Sequence, residues 1–466
     1  MTAVSLALGA ALVTASFGVL AGRKQLTNID LFLSYRNRVG VPALAASIVA
    51  TIAGSWILFS PAETATWAGA PGVLGYAVAQ GLPILILALF GPKLRVLLPA
   101  GYSLTSFAEY RFGRWVAAIV AGASTFYMFI FLSAELTGIA QVYALRYEVP
   151  LFLPALIIAL IALTYTTLGG LRSSILTDQV QLVAFLPLLG LLFWSVGHDG
   201  EGTVAALNRI AETTPDVIGW ANPGGWQFAA VLLVGITSAN LLDQSFWQRV
   251  YAARSNEVVR AGFLVGGLVT IGIILLTGTF GFLAVDRGII DGGNASIALF
   301  ALLLTMPEWV FGLALVLATL LVMSSTDSMI NGIVSAVWPF MGNRSSLTVA
   351  RLVTILLAGL AVLVASFGVS VLYLFLLADL ICAAIVFPLI YGMFDRRLTP
   401  LGAAVAMAGG SVAGSLFFPT PGGASWSGVE ANMLTAFSVA LLVSATVALI
   451  ASRFAPKPAD LWGSSR

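Results

Sequence analysis

Apolar stretches of about 20 residues recur so often along this 466-residue chain that little sequence lies outside them. We count about thirteen, centred near residues 12, 50, 81, 130, 158, 185, 236, 271, 323, 358, 381, 408 and 442. About 20 mostly apolar residues are what a helix needs to cross a hydrocarbon core, where every backbone polar group must be satisfied internally. The chain therefore reads as an all-α polytopic membrane protein with about 13 transmembrane helices. Its 59% apolar and 9% charged residues exclude an ordinary soluble domain.

The charges orient the crossings. The first stretch, Thr2 to Gly22, has no basic residue before it and Arg23 and Lys24 directly after it. That predicts a retained first helix with the N-terminus outside, not a cleaved signal peptide. With thirteen crossings, only Arg146, Arg209 and Arg287 of the 22 basic residues fall outside, and 19 fall inside. The bias predicts a multi-pass protein of the plasma (cytoplasmic) membrane with a cytoplasmic C-terminus. The net charge of +2 then reports topology and not nucleic-acid binding. One cysteine, Cys382, and one histidine, His198, exclude a disulfide framework and a transition-metal cluster of histidines and cysteines.

Residues 1–466 read as a single membrane domain. A helix at 2–22 precedes five crossings over 40–194, which start from the cytoplasm, and five over 226–394, which start from outside. Two C-terminal helices at 399–452 and a cytoplasmic tail at 453–466 complete the chain. Two five-helix units of opposite direction have the order of a five-plus-five inverted-repeat transporter. Each unit opens on an interrupted helix: GSWILFSPAE, Gly54 to Glu63, and GITSANLLDQ, Gly235 to Gln244. Gly, Ser and Pro there free backbone groups at mid-membrane depth, which a cavity or ligand can satisfy; a packing kink would use the same residues. The apolar run Ala295 to Met306 is too short to span and predicts a helix lying on the outer face.

Carboxylates inside crossings are costly, by about 2.5 to 3.5 kcal/mol on insertion scales, so each needs a partner or a function. Glu63, Glu135, Asp178, Asp243, Asp327 and Asp379 are the candidates. In MSSTDSMIN, Met323 to Asn331, Ser324, Ser325 and Ser328 share a helix face with Asp327. Hard oxygen donors without sulfur or imidazole suit an alkali cation. Serines bonding to their own helix carbonyls would give the same pattern. No nucleophile, base and orienter set and no nucleotide loop is present, so no enzyme activity and no cofactor beyond a coupling ion is expected.

Four segments carry a resemblance to the sodium/solute symporter family over nearly the full chain. LGGLRSSILTDQVQ, Leu168 to Gln181, resembles its GGL-R-x(4)-TD-x-x-Q segment. DQSFWQRVYAARS, Asp243 to Ser255, resembles its Q-x(3)-QR-x-x-AA-(K/R)-S, and MSSTDSMIN its serine-pair helix. SLTSFAEYRFG, Ser103 to Gly113, is similar to its cytoplasmic Arg-Phe-Gly segment. The resemblance implies a LeuT-like core and a sodium site made by the carbonyls of Ala50, Ala53 and Leu321 with the hydroxyls of Ser324 and Ser325. It also implies that Asp178 belongs to a cytoplasmic exit path or, with Asp327 and Ser328, to a second cation site.

The solute pocket is expected between the two breaks, lined by Trp56, Ser60, Glu63, Gln80, Asn240 and Gln244. Amides, a hydroxyl and an indole face suit a small polar organic molecule such as urea or an amino acid. The Trp-rich break resembles the urea and small-amine branch more than the sugar branch. The expected activity is sodium-coupled symport into the cell by alternating access, with the solute, sodium and the lipid bilayer as partners. Two alternatives stay open: a proton-coupled symporter with Asp178 or Asp327 as the carrier, and a transporter-like solute sensor.

Overall fold

A computed structural model describes residues 2–22, 33–198, 202–290, 294–340, 347–420 and 422–455. Helix α1 (Thr2–Gly22) buries Ala3, Ala7, Ala11 and Ala15, a stripe of small side chains at four-residue spacing. Small residues let helix backbones approach closely in lipid. Gly18 continues the stripe against the ring of Tyr165, where an added Cβ would stand 2.6 Å from Cδ2.

The first unit comprises α2 (Val41–Ile52), a 3-10 turn at Ser55–Leu58, α3 (Ser60–Trp67), α4 (Gly69–Leu97), α5 (Leu104–Phe112), α6 (Arg114–Tyr147) and α7 (Phe152–His198). Helix α2 stops because Ala53 leaves helical geometry at ψ 80° and Gly54 is extended. Pro61 then starts α3, where a missing N–H costs nothing, and the two pieces meet at 67°. Helix α7 holds two helical stretches in one run: Gly170, at φ 56° and ψ −155°, adopts a conformation that glycine enters readily and separates the stretches centred near 158 and 185.

After α8 (Thr203–Thr213) and α9 (Pro215–Ile218), the second unit comprises α10 (Pro223–Leu242), α11 (Gln244–Ala252), α12 (Asn256–Asp286), α13 (Ala298–Leu304), α14 (Glu308–Val337), α15 (Leu347–Ala365) and α16 (Val371–Tyr391). Helices α17 (Pro400–Ser415) and α18 (Met433–Phe454) follow. The units correspond element by element: a divided helix, a long helix, a short helix (α5 or α13), then further long helices. No strand occurs among the described residues beyond two isolated bridges. Helices α2 and α4 each pack on α12, α14 packs on α6 and α7, and α2 crosses both α7 and α14. Apolar side chains such as Leu89, Trp115, Val183 and Leu363 are exposed, as lipid-facing positions should be.

Several expectations change here. All thirteen apolar centres fall on helices, but only nine described helices are long and apolar enough to cross alone. The bent pair α2–α3 makes a tenth; Phe152–Thr166 and Pro400–Ser415 are shorter. The second break does not interrupt Gly235 to Leu242, because α10 runs unbroken to Leu242 and the chain turns only at Asp243, whose carboxylate caps α11 at Ser245. The run Ala295 to Met306 is not a surface helix: Leu299, Phe300, Leu302 and Leu303 are buried, and Phe300 packs on Phe59 and Phe311. Most of its large apolar residues face the protein while Leu304 is exposed, a division that hydropathy alone does not distinguish from a membrane-surface helix. Arg23, Lys24, Arg344, Lys457 and Arg466, and the tail beyond residue 455, lie outside the described residues.

Candidate functional site

Because the Gly54 N–H turns to Ile52 O at 2.9 Å, the carbonyl of Ala50 is released from the normal helix ladder. Ser324 on α14 meets it: Ser324 Oγ is 2.9 Å from Ala50 O and 2.7 Å from Asp178 Oδ1. A hydroxyl has one proton, so three oxygens share one hydrogen, an excess of acceptors that suits a hard cation. Ser325, one residue on, donates back to Leu321 O at 3.1 Å, which sets that carbonyl beside the hydroxyl. Ala53 ends α2 one turn beyond Ala50, with its non-helical ψ turning its carbonyl out of the ladder.

Asp178, expected on the cytoplasmic exit path or at a second cation site, lies inside the helix bundle. It is fully buried beside Ser324, at the depth of the Ala50 carbonyl. Its Oδ2 accepts from Ser47 Oγ at 2.6 Å and pairs with Arg249 Nη2 at 2.9 Å. Arg249 Nε donates to Ser47 Oγ at 2.8 Å, and its Nη2 also donates to Ser328 Oγ at 3.0 Å. Ser328 lies 3.2 Å from Thr51 Oγ1. Asp327 sits on the other side of this network, accepting from Ser174 Oγ at 2.6 Å, Tyr165 OH at 2.9 Å and Thr177 Oγ1 at 3.2 Å. Two carboxylates thus share the neighbourhood of one guanidinium, among hydroxyls from α2, α7 and α14.

A second locus lies between α2–α3, α4, α6, α10 and α16. Trp56, held by its Nε1–H to Ile52 O at 2.9 Å, stacks on Tyr76 with ring centroids 5.7 Å apart. Phe375 stands edge-on to Trp56 and packs against Phe131. These rings, with Gln80, Tyr127, Asn240 and Asp379, line a cavity of about 10 Å³, room for roughly one water molecule. Asn240 donates to Gln80 Oε1 at 2.7 Å and accepts from Tyr127 OH at 3.1 Å. Asp379, 2% exposed, takes no hydrogen bond or ion pair from a described side chain. A wider vestibule of about 550 Å³, lined by Glu63, Trp67, Gln227, Tyr373 and Asn432, shares Leu372 and Leu376 with the cavity.

The structure therefore gathers Trp56, Gln80 and Asn240 in one cavity and sets Glu63 in the vestibule. Ser60 Oγ is buried on α3 without a hydrogen-bond partner among the described residues. Gln244 does not join them. It holds the start of α5, accepting from Leu104 N–H at 2.9 Å and donating to Thr105 and Ser124. Tyr76, Phe131, Phe375 and the placement of Asp379 escaped sequence reasoning. The signal for Asp379 was its charge inside a crossing, but only packing of α16 on α6 and α10 shows which rings surround it.

Comparison with known proteins agrees with this architecture. The model of the sodium:solute symporter family matches residues 31–410. Over 397 residues, 84% of this chain and 75% of the relative, the sequence is 30% identical to a spermidine transporter of Candida albicans. A sodium/glucose cotransporter of Vibrio parahaemolyticus is 24% identical over 353 residues, 66% of this chain and 64% of that protein. Among solved structures, a Na+-coupled sialic acid symporter in a substrate-bound outward-open state superposes with a TM-score of 0.78, at 19% identity and 98% coverage of both chains. A nucleobase-cation-symport-1 family transporter in a closed conformation gives a TM-score of 0.58 at 14% identity, covering 94% of this chain and 98% of that one. These two structures show the fold.

Proposed function

Because the chain belongs to the sodium:solute symporter family and is thus a multi-pass secondary active transporter, we propose that it couples sodium to the uptake of a small organic amine. The observation that carries this reading is Asp379, a buried carboxylate without a side-chain partner among the described residues, in a cavity walled by Trp56, Tyr76, Phe131 and Phe375. Aromatic faces and one carboxylate suit an ammonium group, through cation–π attraction and charge pairing in a dry site. The spermidine transporter among the relatives handles the same chemistry. Glu63 in the vestibule, with its Oε2 unpartnered, suits a second ammonium of a longer amine. Gln80, Asn240 and Ser60 would orient the solute through hydrogen bonds, while Gln244 supports α5.

In this reading sodium binds among Ala50, Ala53, Leu321, Ser324 and Ser325, where α2 and α14 cross. Asp178, Asp327 and Ser328 form the route or second station from which a cation leaves inward. The repeats over 40–194 and 226–394 rock against one another, and the stack of Trp56 on Tyr76 walls the cavity between them. On the orientation read from the basic residues along the sequence, the Glu63 vestibule opens outside. Each charge moved inward contributes about 2.3 kcal/mol per 100 mV of membrane potential.

Uptake of labelled putrescine, spermidine, urea, alanine and glucose into liposomes holding the purified protein tests the proposal, with external NaCl compared with KCl. Sodium-dependent uptake of the amines over the neutral solutes is the expected result. Preference for a neutral solute overturns the amine reading. Uptake that ignores sodium and follows pH instead favours proton coupling through Asp178 or Asp327.

A further inference from the structure

Glu135 lies mid-way along α6 and has no exposed surface, yet the sodium ligands and the solute cavity named above do not use it. Its carboxylate reaches into the break of the first core helix. Oε2 accepts the backbone N–H of Ser55 at 2.7 Å and the Ser55 hydroxyl at 3.0 Å. Oε1 has no hydrogen-bond partner among the described residues and lies against Gly54, where an added Cβ would stand only 1.9 Å from it. The Ser55–Leu58 turn that Glu135 holds packs on both α6 and α14, the helix that carries Ser325. No basic side chain pairs with Glu135 among the described residues.

A buried carboxylate with one bare oxygen and no counter-charge is costly in lipid, and a cation beside it removes the cost. The bare oxygen meets the broken backbone at Gly54, beside the turn that packs on α14. We infer that Glu135 is an anionic ligand of the coupling cation, joining α6 to the break and neutralising the sodium that Ser325 binds. This inference rests on the sodium-symport reading above. It adds that the site is charged, and that the charge comes from a third helix. Sodium would then tie Ser55 and Gly54 on the broken helix to α6 and α14 at once, so its departure frees the break to move.

Replacing Glu135→Gln separates charge from shape, because a glutamine carbonyl still accepts the Ser55 N–H. Amine binding to the purified full-length protein, titrated with NaCl, is the readout. The expected result is a tenfold or larger rise in the half-saturating sodium concentration, with amine affinity at saturating sodium kept. An unchanged sodium requirement in E135Q makes Glu135 a mere cap of the break and overturns the inference. A wild-type protein whose amine binding ignores sodium sinks the underlying symport reading instead. Should E135Q fail to fold, labelling of the wild-type protein with a membrane-permeant carbodiimide decides the question. Sodium, but not potassium, should protect Glu135 from modification as read by mass spectrometry, and equal labelling in the two salts overturns the inference.

Discussion

Arg249 Nη2 lies 2.9 Å from Asp178 Oδ2, and neither side chain has any exposed surface. The pair joins α11 to the middle of α7, and through Ser324 it reaches the carbonyl of Ala50. Removing one member of a buried pair leaves an uncompensated charge in a low-dielectric interior.

Arg249→Leu is therefore expected to destabilise the protein by about 3 to 5 kcal/mol, and addition of Asp178→Asn should recover part of that loss. Thermal unfolding in detergent checks this. A single mutant that melts with the wild type would mean that Asp178 is already neutralised by another group.

Ser324→Ala removes the hydroxyl that links the Ala50 carbonyl to Asp178. We expect the sodium concentration for half-maximal uptake to rise at least tenfold, equivalent to about 1.4 kcal/mol, and sodium dependence to vanish when Ser325→Ala is added. Uptake measured across a sodium series reads both, and normal sodium affinity in the double variant would remove the site from α14.

Asp379→Asn and Glu63→Gln should differ in kind. Without the Asp379 charge, every amine should bind at least tenfold more weakly. Without the Glu63 charge, only solutes with two or more ammonium groups should weaken. Competition by mono-, di- and triamines at saturating sodium distinguishes them; equal effects on all amines would show that the two acids do not bind successive ammonium groups.

Asp395, in the turn between α16 and α17, supplies a pH dependence away from the membrane interior. Hydrogen bonds from the Arg397 guanidinium, with Ser452 and Tyr391, hold its carboxyl well below the usual carboxylate range. A depressed folded-state value means that the contribution is complete above the unfolded value of about 4 and is lost as pH falls through the folded value. Melting temperatures recorded from pH 7 down to pH 3 should fall less steeply below about pH 4 in Asp395→Asn than in the wild type. Parallel profiles would show that the turn does not depend on this charge.

Hydropathy carried the membrane class and the order of the apolar helices, because lipid imposes length and polarity residue by residue. The break after Ala53 was equally legible, since Gly54 and Pro61 act through local backbone geometry. The serine-pair helix was legible as well: Ser324, Ser325, Asp327 and Ser328 occur in one short run, and their spacing alone places them on one turn of α14.

Contacts between distant segments were decided only by the tertiary structure. Asp178 and Arg249 belong to separate sequence motifs, and only the folding of α11 and α7 around Ser47 buries them together. Asp379 and Glu135 were visible as acids inside crossings, yet nothing in their own segments says that one faces Trp56 and the other Gly54. The end of α10 at Asp243 and the burial of α13 followed the same logic. A sequence pattern records how apolar a helix is and where its backbone is free to bend. Which partners meet its polar groups depends on how helices far apart in the chain pack, and in lipid those few polar contacts determine where a cation and a charged solute can stand.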